Sequence, residues 1–140
     1  MGEIIILSKI LIIVMREKFE LEFPIHASPK LLHQYLSTPS GLSEWYADNV
    51  NSRGELYTFI WDDSEEKAKL LSKKAVDKVR FQWLEDEGEE YYFEIRIQVD
   101  DITKDVSLMV TDFSDDDDMD ENKMLWENQI SELKKVLGSV

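Results

Sequence analysis

The chain of 140 residues is predicted to fold as one α+β domain. In it a curved antiparallel sheet of about six or seven strands wraps around a long C-terminal helix, with two short helices after the first strand. Two observations lead to this class. From residue 17 onward, segment after segment alternates apolar and polar residues with a period of two, the mark of strands buried on one face. Val79-Arg80-Phe81-Gln82-Trp83 is the clearest, with its large rings on one side. The final segment, Met119 to Leu137, changes period: Trp126, Ile130, Leu133 and Leu137 recur at spacings of 3 and 4 and form one apolar stripe. Such a stripe can cover the apolar face of the sheet and leave a concave interior between them.

Each element follows in order. Phe19, Leu21 and Phe23 alternate with Lys18, Glu20 and Glu22 in a strand that Pro24 is expected to stop. Ser28-Pro29 is an N-cap followed by proline at the first helical position, and Leu31, Leu32, Tyr35 and Leu36 continue at helical spacing. Thr38-Pro39 repeats the device and opens a second short helix with Leu42, Trp45 and Tyr46 turned inward, Gly41 being a cost to its stability. Asp48 to Gly54 reads as a polar loop. Tyr57, Phe59 and Trp61 then share one strand face, which Asp62-Asp63-Ser64 ends. Lys67 to Val76 is expected as a strand, Asp77-Lys78 as a tight connection, and Val79 to Leu84 as the ring-bearing strand, its Phe81 and Trp83 facing Trp126. Glu85 to Glu90 reads as a charged hairpin loop. Tyr91, Phe93, Ile95, Ile97 and Val99 alternate with Tyr92, Glu94, Arg96 and Gln98, and Val106, Leu108 and Val110 form the last strand. Asp115 to Asp118 put carboxylates at the positive end of the terminal helix.

Composition narrows the function classes. The 15 aromatic residues (Trp 4, Tyr 5, Phe 6) supply a real core. No cysteine is present, which removes disulfides, thiolate metal sites and cysteine nucleophiles. The net charge of −14 is concentrated late: residues 1–84 carry 12 acidic and 11 basic side chains, residues 85–140 carry 18 and 5. Such a surface repels phosphate backbones and anionic lipid heads, so nucleic acid is not expected as a partner, whereas a basic protein would be attracted.

Residues 1–14 read as an apolar N-terminal extension ahead of a single domain, 15–140, with Met15 placed to be the natural start. The run is shorter than the roughly 20 apolar residues of a membrane span, so no stable membrane insertion is expected. Glu3 before it and Arg16-Glu17-Lys18 after it do not match an export signal. With no cysteine and no export pattern, the expected location is cytoplasmic. The β-branched residues of the extension suit an added strand or a self-association surface.

No cofactor is expected, and no metal. His26 and His33, 7 residues apart, fall short of a zinc ligand set, and Asp115 to Asp118 lack the spacing and glycine of a calcium loop. No phosphate loop, nucleophile elbow or zinc-protease pattern occurs. No catalytic residue is singled out, and the reading leans against an enzyme; the abundant carboxylates sit mostly in segments read as exposed loops, although composition alone leaves a catalytic pair open. The candidate ligand-lining residues are Trp45, Tyr57, Phe59, Trp61, Phe81, Trp83, Trp126 and Ile130, all placed toward the groove between sheet and helix. Rings so placed serve a packed core or an apolar ligand cavity equally well, and their bulk favours a small or closed one.

Ser28-Pro29, the run Leu42-Ser43-Glu44-Trp45-Tyr46-Ala47-Asp48, Gly54 before Tyr57-Thr58-Phe59-Ile60-Trp61, Val79-Arg80-Phe81-Gln82-Trp83 and Trp126 occur in an order that resembles the START-like helix-grip (SRPBCC) superfamily. Within it the chain resembles the branch named after the activator of the heat-shock protein 90 ATPase, over residues 17–138. The resemblance implies a seven-stranded or similar sheet around the C-terminal helix, often with a cavity for an apolar small molecule. Lipid carriers, polyketide-processing enzymes, hormone receptors, stress proteins and co-chaperones share that fold, so fold alone does not choose among them. Three expectations follow: a non-catalytic module binding an apolar small molecule in the groove, a co-chaperone-like or adaptor protein docking to a basic partner through its acidic surface, or a hydrolase or cyclase using the same cavity.

Overall fold

The computed structural model describes residues 2–7 and 10–139, with side chains from Met15 onward. β1 (Gly2–Leu7) and β2 (Ile10–Met15) pair as an antiparallel hairpin that forms its own small sheet. The side chains on which the self-association expectation rests lie outside the described residues. Among the described residues no helix is long and apolar enough to cross a membrane.

The main sheet has seven antiparallel strands: β3 (Glu17–Ile25), β4 (Asn49–Arg53), β5 (Leu56–Trp61), β6 (Ser64–Leu70), β7 (Lys78–Trp83), β8 (Phe93–Val99) and β9 (Val106–Ser114). Their spatial order is β3-β9-β8-β7-β6-β5-β4. The chain therefore crosses between β3 and β4, the two edges, through α1 (Pro29–Ser37) and α2 (Pro39–Leu42). α3 (Met119–Leu137) buries Trp126, Ile130 and Leu133, the stripe expected from its spacing, and Gly138 closes it in the left-handed conformation at φ 72°.

Both helix starts are capped as the sequence predicts. Ser28 Oγ accepts the Leu31 N–H at 3.2 Å, and Thr38 Oγ1 accepts the Gly41 N–H at 3.0 Å. Gly41 turns out to be required. A Cβ there would lie 2.4 Å from the Gln34 carbonyl oxygen and 2.6 Å from Tyr35 Cα, so only glycine lets the two helices approach this closely.

Several boundaries differ from the sequence reading. Pro24 lies inside β3, opposite Ser107, because β3 is an edge strand and proline's missing N–H breaks no ladder on that side. The expected polar loop after Asp48 contains β4, whose polarity reflects its edge position: Val50 alone is buried there. The strand expected over Lys67 to Val76 runs instead from Ser64 to Leu70, since Asp62-Asp63 suffice as a two-residue hairpin turn with Asp62 at φ 40°, and a turn at Ser72 to Ala75 ends it early. After β7 the chain enters a short 3-10 turn, Leu84–Asp86, and β8 begins at Phe93, not at Tyr91.

The outer sheet face is not uniformly solvated. Glu94, expected on the polar side of β8, is buried beneath Arg80 at 2.9 Å, Arg96 at 3.5 Å and Lys78 at 3.9 Å, while Arg80 stacks 3.9 Å from the Tyr92 ring centre. A carboxylate held by three cations needs no apolar cover to be stable there.

Candidate functional site

The inner face of the sheet divides into a filled interior and an open mouth. Phe59, Phe81 and Ile130 are fully buried, with Tyr57 and Trp45 nearly so. Their polar atoms are tied down: Trp45 Nε1 donates to the Tyr35 carbonyl at 2.9 Å, and the Tyr57 hydroxyl donates to the Ser37 carbonyl at 2.6 Å. These five of the eight candidate lining residues are packed core in this structure. Phe81 does not meet Trp126; it packs on Tyr57 at 5.0 Å, Phe93 at 5.4 Å and Phe59 at 5.6 Å between ring centres.

Trp61 and Trp83 are half-buried, and Trp126, though as buried as Tyr57, reaches the same space. They line a cavity of about 480 Å³ at the mouth of the grip, between α3 and the β5 to β8 side of the sheet, with Tyr46 and Phe93 beside them. The five rings form one contact cluster: Tyr46 to Trp61 5.8 Å, Trp61 to Trp83 6.4 Å, Trp83 to Phe93 5.5 Å, Phe93 to Trp126 5.6 Å and Trp126 to Tyr46 6.0 Å, with Tyr46 and Phe93 also stacked on each other at 5.7 Å. Phe93 thus stands between Trp83 and Trp126, which share the cavity without touching ring to ring. Alternation carries these rings inward from β5, β7 and β8, while the turn after α2 brings in Tyr46, whose carbonyl accepts the Trp61 Nε1–H at 3.1 Å.

Two carboxylates open onto the same space. Asp112 follows Leu108 and Val110 on the inner face of β9, and Glu66 lies opposite Phe59 on the inner face of β6. Asp112 Oδ2 accepts the Trp126 Nε1–H at 2.8 Å, and Oδ1 accepts the Phe113 N–H at 2.8 Å. Burial raises the Asp112 carboxyl from its ordinary 3.8 to about 6; those two hydrogen bonds and Arg16 pull it down, and Asp86 pushes it up. The Tyr46 hydroxyl is raised well above its ordinary range, first by burial, then by the charges of Asp112 and Glu66.

A smaller cavity of about 240 Å³ shares Trp83, Asp112 and Asn122 with the first and continues toward Arg16 and Tyr91. There Arg16 Nη1 lies 3.0 Å from both oxygens of the buried Asp86, and its guanidinium sits 4.4 Å from the Tyr91 ring centre. The largest hollow, about 920 Å³, is a polar surface at the far end of the sheet with no residue from α3 and none of the candidate rings. Its lining of strand ends and loop mixes Ile25, Ile97 and Val99 with Asp77, Asp100 and Asp105 and has no Phe, Tyr or Trp ring to hold an apolar body. The mouth cavity is therefore the better candidate. His26 is exposed, with its backbone N–H on Ser139 Oγ at 2.8 Å, and His33 lies 3.1 Å from the Ala75 carbonyl.

Sequence reasoning placed Tyr46 inward but did not select it, Phe93, Glu66 or Asp112 for the site. Asp112 carried a signal: it continues the parity of Val106, Leu108 and Val110, which puts a carboxylate in register with an apolar face.

The START-like superfamily domain model matches residues 13–139. The chain belongs to this superfamily. No curated protein matches it. Among solved structures, the START-like chain is similar to BfR322 from Bacteroides fragilis, at 37% identity over 87% of this chain and 91% of that one, TM-score 0.63. It is also similar to the Aha1 dimer from Colwellia psychrerythraea (18% identity, 86% and 96% covered, TM-score 0.71) and to protein MLL2253 from Mesorhizobium loti (15%, 87% and 97%, TM-score 0.66). At those identities the last two show the shared fold. The helix gripped by a seven-stranded sheet is the arrangement expected from the resemblance.

Proposed function

We infer that this START-like domain is a non-catalytic, cytoplasmic binding module that receives an apolar small molecule at the mouth of the grip. The observation that carries the reading is a cavity of about 480 Å³ lined by five aromatic rings, Tyr46, Trp61, Trp83, Phe93 and Trp126. Space of that size with ring walls and a few polar groups is what small-molecule sites have in common. The ligand body rests against Trp61, Trp83 and Trp126, because the interior behind them is filled.

The neutral apolar dye Nile red is expected to bind with increased fluorescence and to raise the melting temperature. The Trp83→Leu variant, which shortens one wall, is expected to weaken that binding severalfold. A protein that leaves the dye in water, or a variant that binds it as tightly, would refute the placement.

A second reading, acid–base chemistry in the same cavity, is favoured by Asp112, a half-buried carboxyl held near 6 beside a solvent-accessible space. Its test is turnover of a bound compound that the Asp112→Asn variant no longer supports.

A further inference from the structure

We propose that the mouth cavity selects organic cations: its ligand is an amine or quaternary ammonium on an apolar body, the charge lying between Asp112 and Glu66 and against the surrounding rings. This rests on the reading of the cavity as a binding site and names the ligand class.

Charge comes first. Asp112 and Glu66 both line the cavity, whose other polar side chains are the neutral Tyr46, Asn122, Gln129 and the indoles, so no cationic residue lines it. The cation nearest to Asp112 in effect, Arg16, is bound to Asp86 by two contacts of 3.0 Å. Glu66 makes no ion pair or hydrogen bond among the described residues. A neutral ligand covering this mouth would strip water from two carboxylates and return at most a neutral hydrogen bond, and an anion would add repulsion. An ammonium group offers each of them a charged donor.

The walls point the same way independently. Five aromatic rings line the space, and a ring face open to it attracts a cation through its negative quadrupole. Tyr46, only 7% exposed, lines the cavity with a hydroxyl that makes no hydrogen bond among the described residues, and both carboxylates act on that hydroxyl. A ligand N–H would satisfy it. The net charge of −14 favours the approach of such a ligand.

The test uses three probes with one body and different charges, naphthylmethylamine, naphthalenemethanol and naphthoic acid, titrated into the full chain at neutral pH while the tryptophan indole N–H resonances are followed. The amine is expected to bind about tenfold tighter than the alcohol, as the combined ion-pair and ring attraction implies, with the acid weakest. Glu66→Gln, at an exposed position, and Asp112→Asn are each expected to weaken the amine severalfold more than the alcohol, eroding the preference between them. Equal or tighter binding of the alcohol or the acid overturns the cation inference and leaves the apolar site standing. Failure of all three to bind overturns both.

Discussion

Replacing Asp112 by Asn isolates the carboxylate that distinguishes this cavity from a plain apolar one. In the folded chain the carboxyl is raised from 3.8 to about 6, chiefly by burial. The sign follows from linkage: a raised folded value means the folded state holds the proton more tightly than the unfolded chain. The stabilising effect of this group is therefore complete below about pH 4 and is lost as the pH rises through about 6. At about 1.4 kcal/mol per tenfold change, the loss by pH 8 is about 3 kcal/mol. Asparagine avoids it, because it carries no charge to desolvate. It also has one acceptor oxygen where aspartate uses two, so either the Trp126 indole or the Phe113 N–H loses its partner, which costs about 1 kcal/mol. The variant should then be about 2 kcal/mol more stable than the parent at pH 8 and about 1 kcal/mol less stable below pH 4, changing sign between about pH 4 and 5. Urea unfolding of both proteins across that range reads the difference directly, and taking the difference cancels the many other acids. A difference that stays flat with pH, or a variant weaker than the parent at pH 8, would refute burial as the cause. Trp126→Phe serves as the companion: without its N–H the Asp112 carboxyl should titrate above about 6 by carbon-detected NMR, not below.

Two further outcomes concern the scaffold. Gly41→Ala should cost about 2 kcal/mol or more in urea unfolding, because its Cβ would meet backbone atoms of α1 at 2.4 and 2.6 Å; a neutral substitution would mean that the helices can move apart freely. Arg16→Met should destabilise by about 3 kcal/mol by leaving the Asp86 carboxylate buried alone, and the additional change Asp86→Leu should recover most of that loss. If the double variant is as unstable as the single one, the cost lies in the stacking of Arg16 on Tyr91 and not in the stranded charge.

How far the sequence reaches can be seen element by element. The limits of α3 and its stripe of Trp126, Ile130 and Leu133 were legible, because helical spacing and capping are local properties. So were the proline-led starts of α1 and α2 and the inward rings of β5, β7 and β8. β4 and the length of β3 were not. Both are edge strands, where a polar sequence or a proline is tolerated only because no neighbour stands on one side, and which strands become edges is decided by pairing across the whole chain.

The division between core and site was likewise beyond reach from pattern alone. Phe59, Phe81 and Trp83 all point inward by strand alternation, yet the first two are fully buried and the third lines the open cavity. Asp112 and Glu66 come from β9 and β6, far apart in sequence, and meet one cavity only because the sheet curves around the helix. What the sequence by itself determined was the fold, through periodicities that each segment carries alone. What the tertiary structure decided was where that fold stays unfilled and which charges face the gap, since burial, and with it the shifted carboxyl of Asp112, depends on every element packed around it.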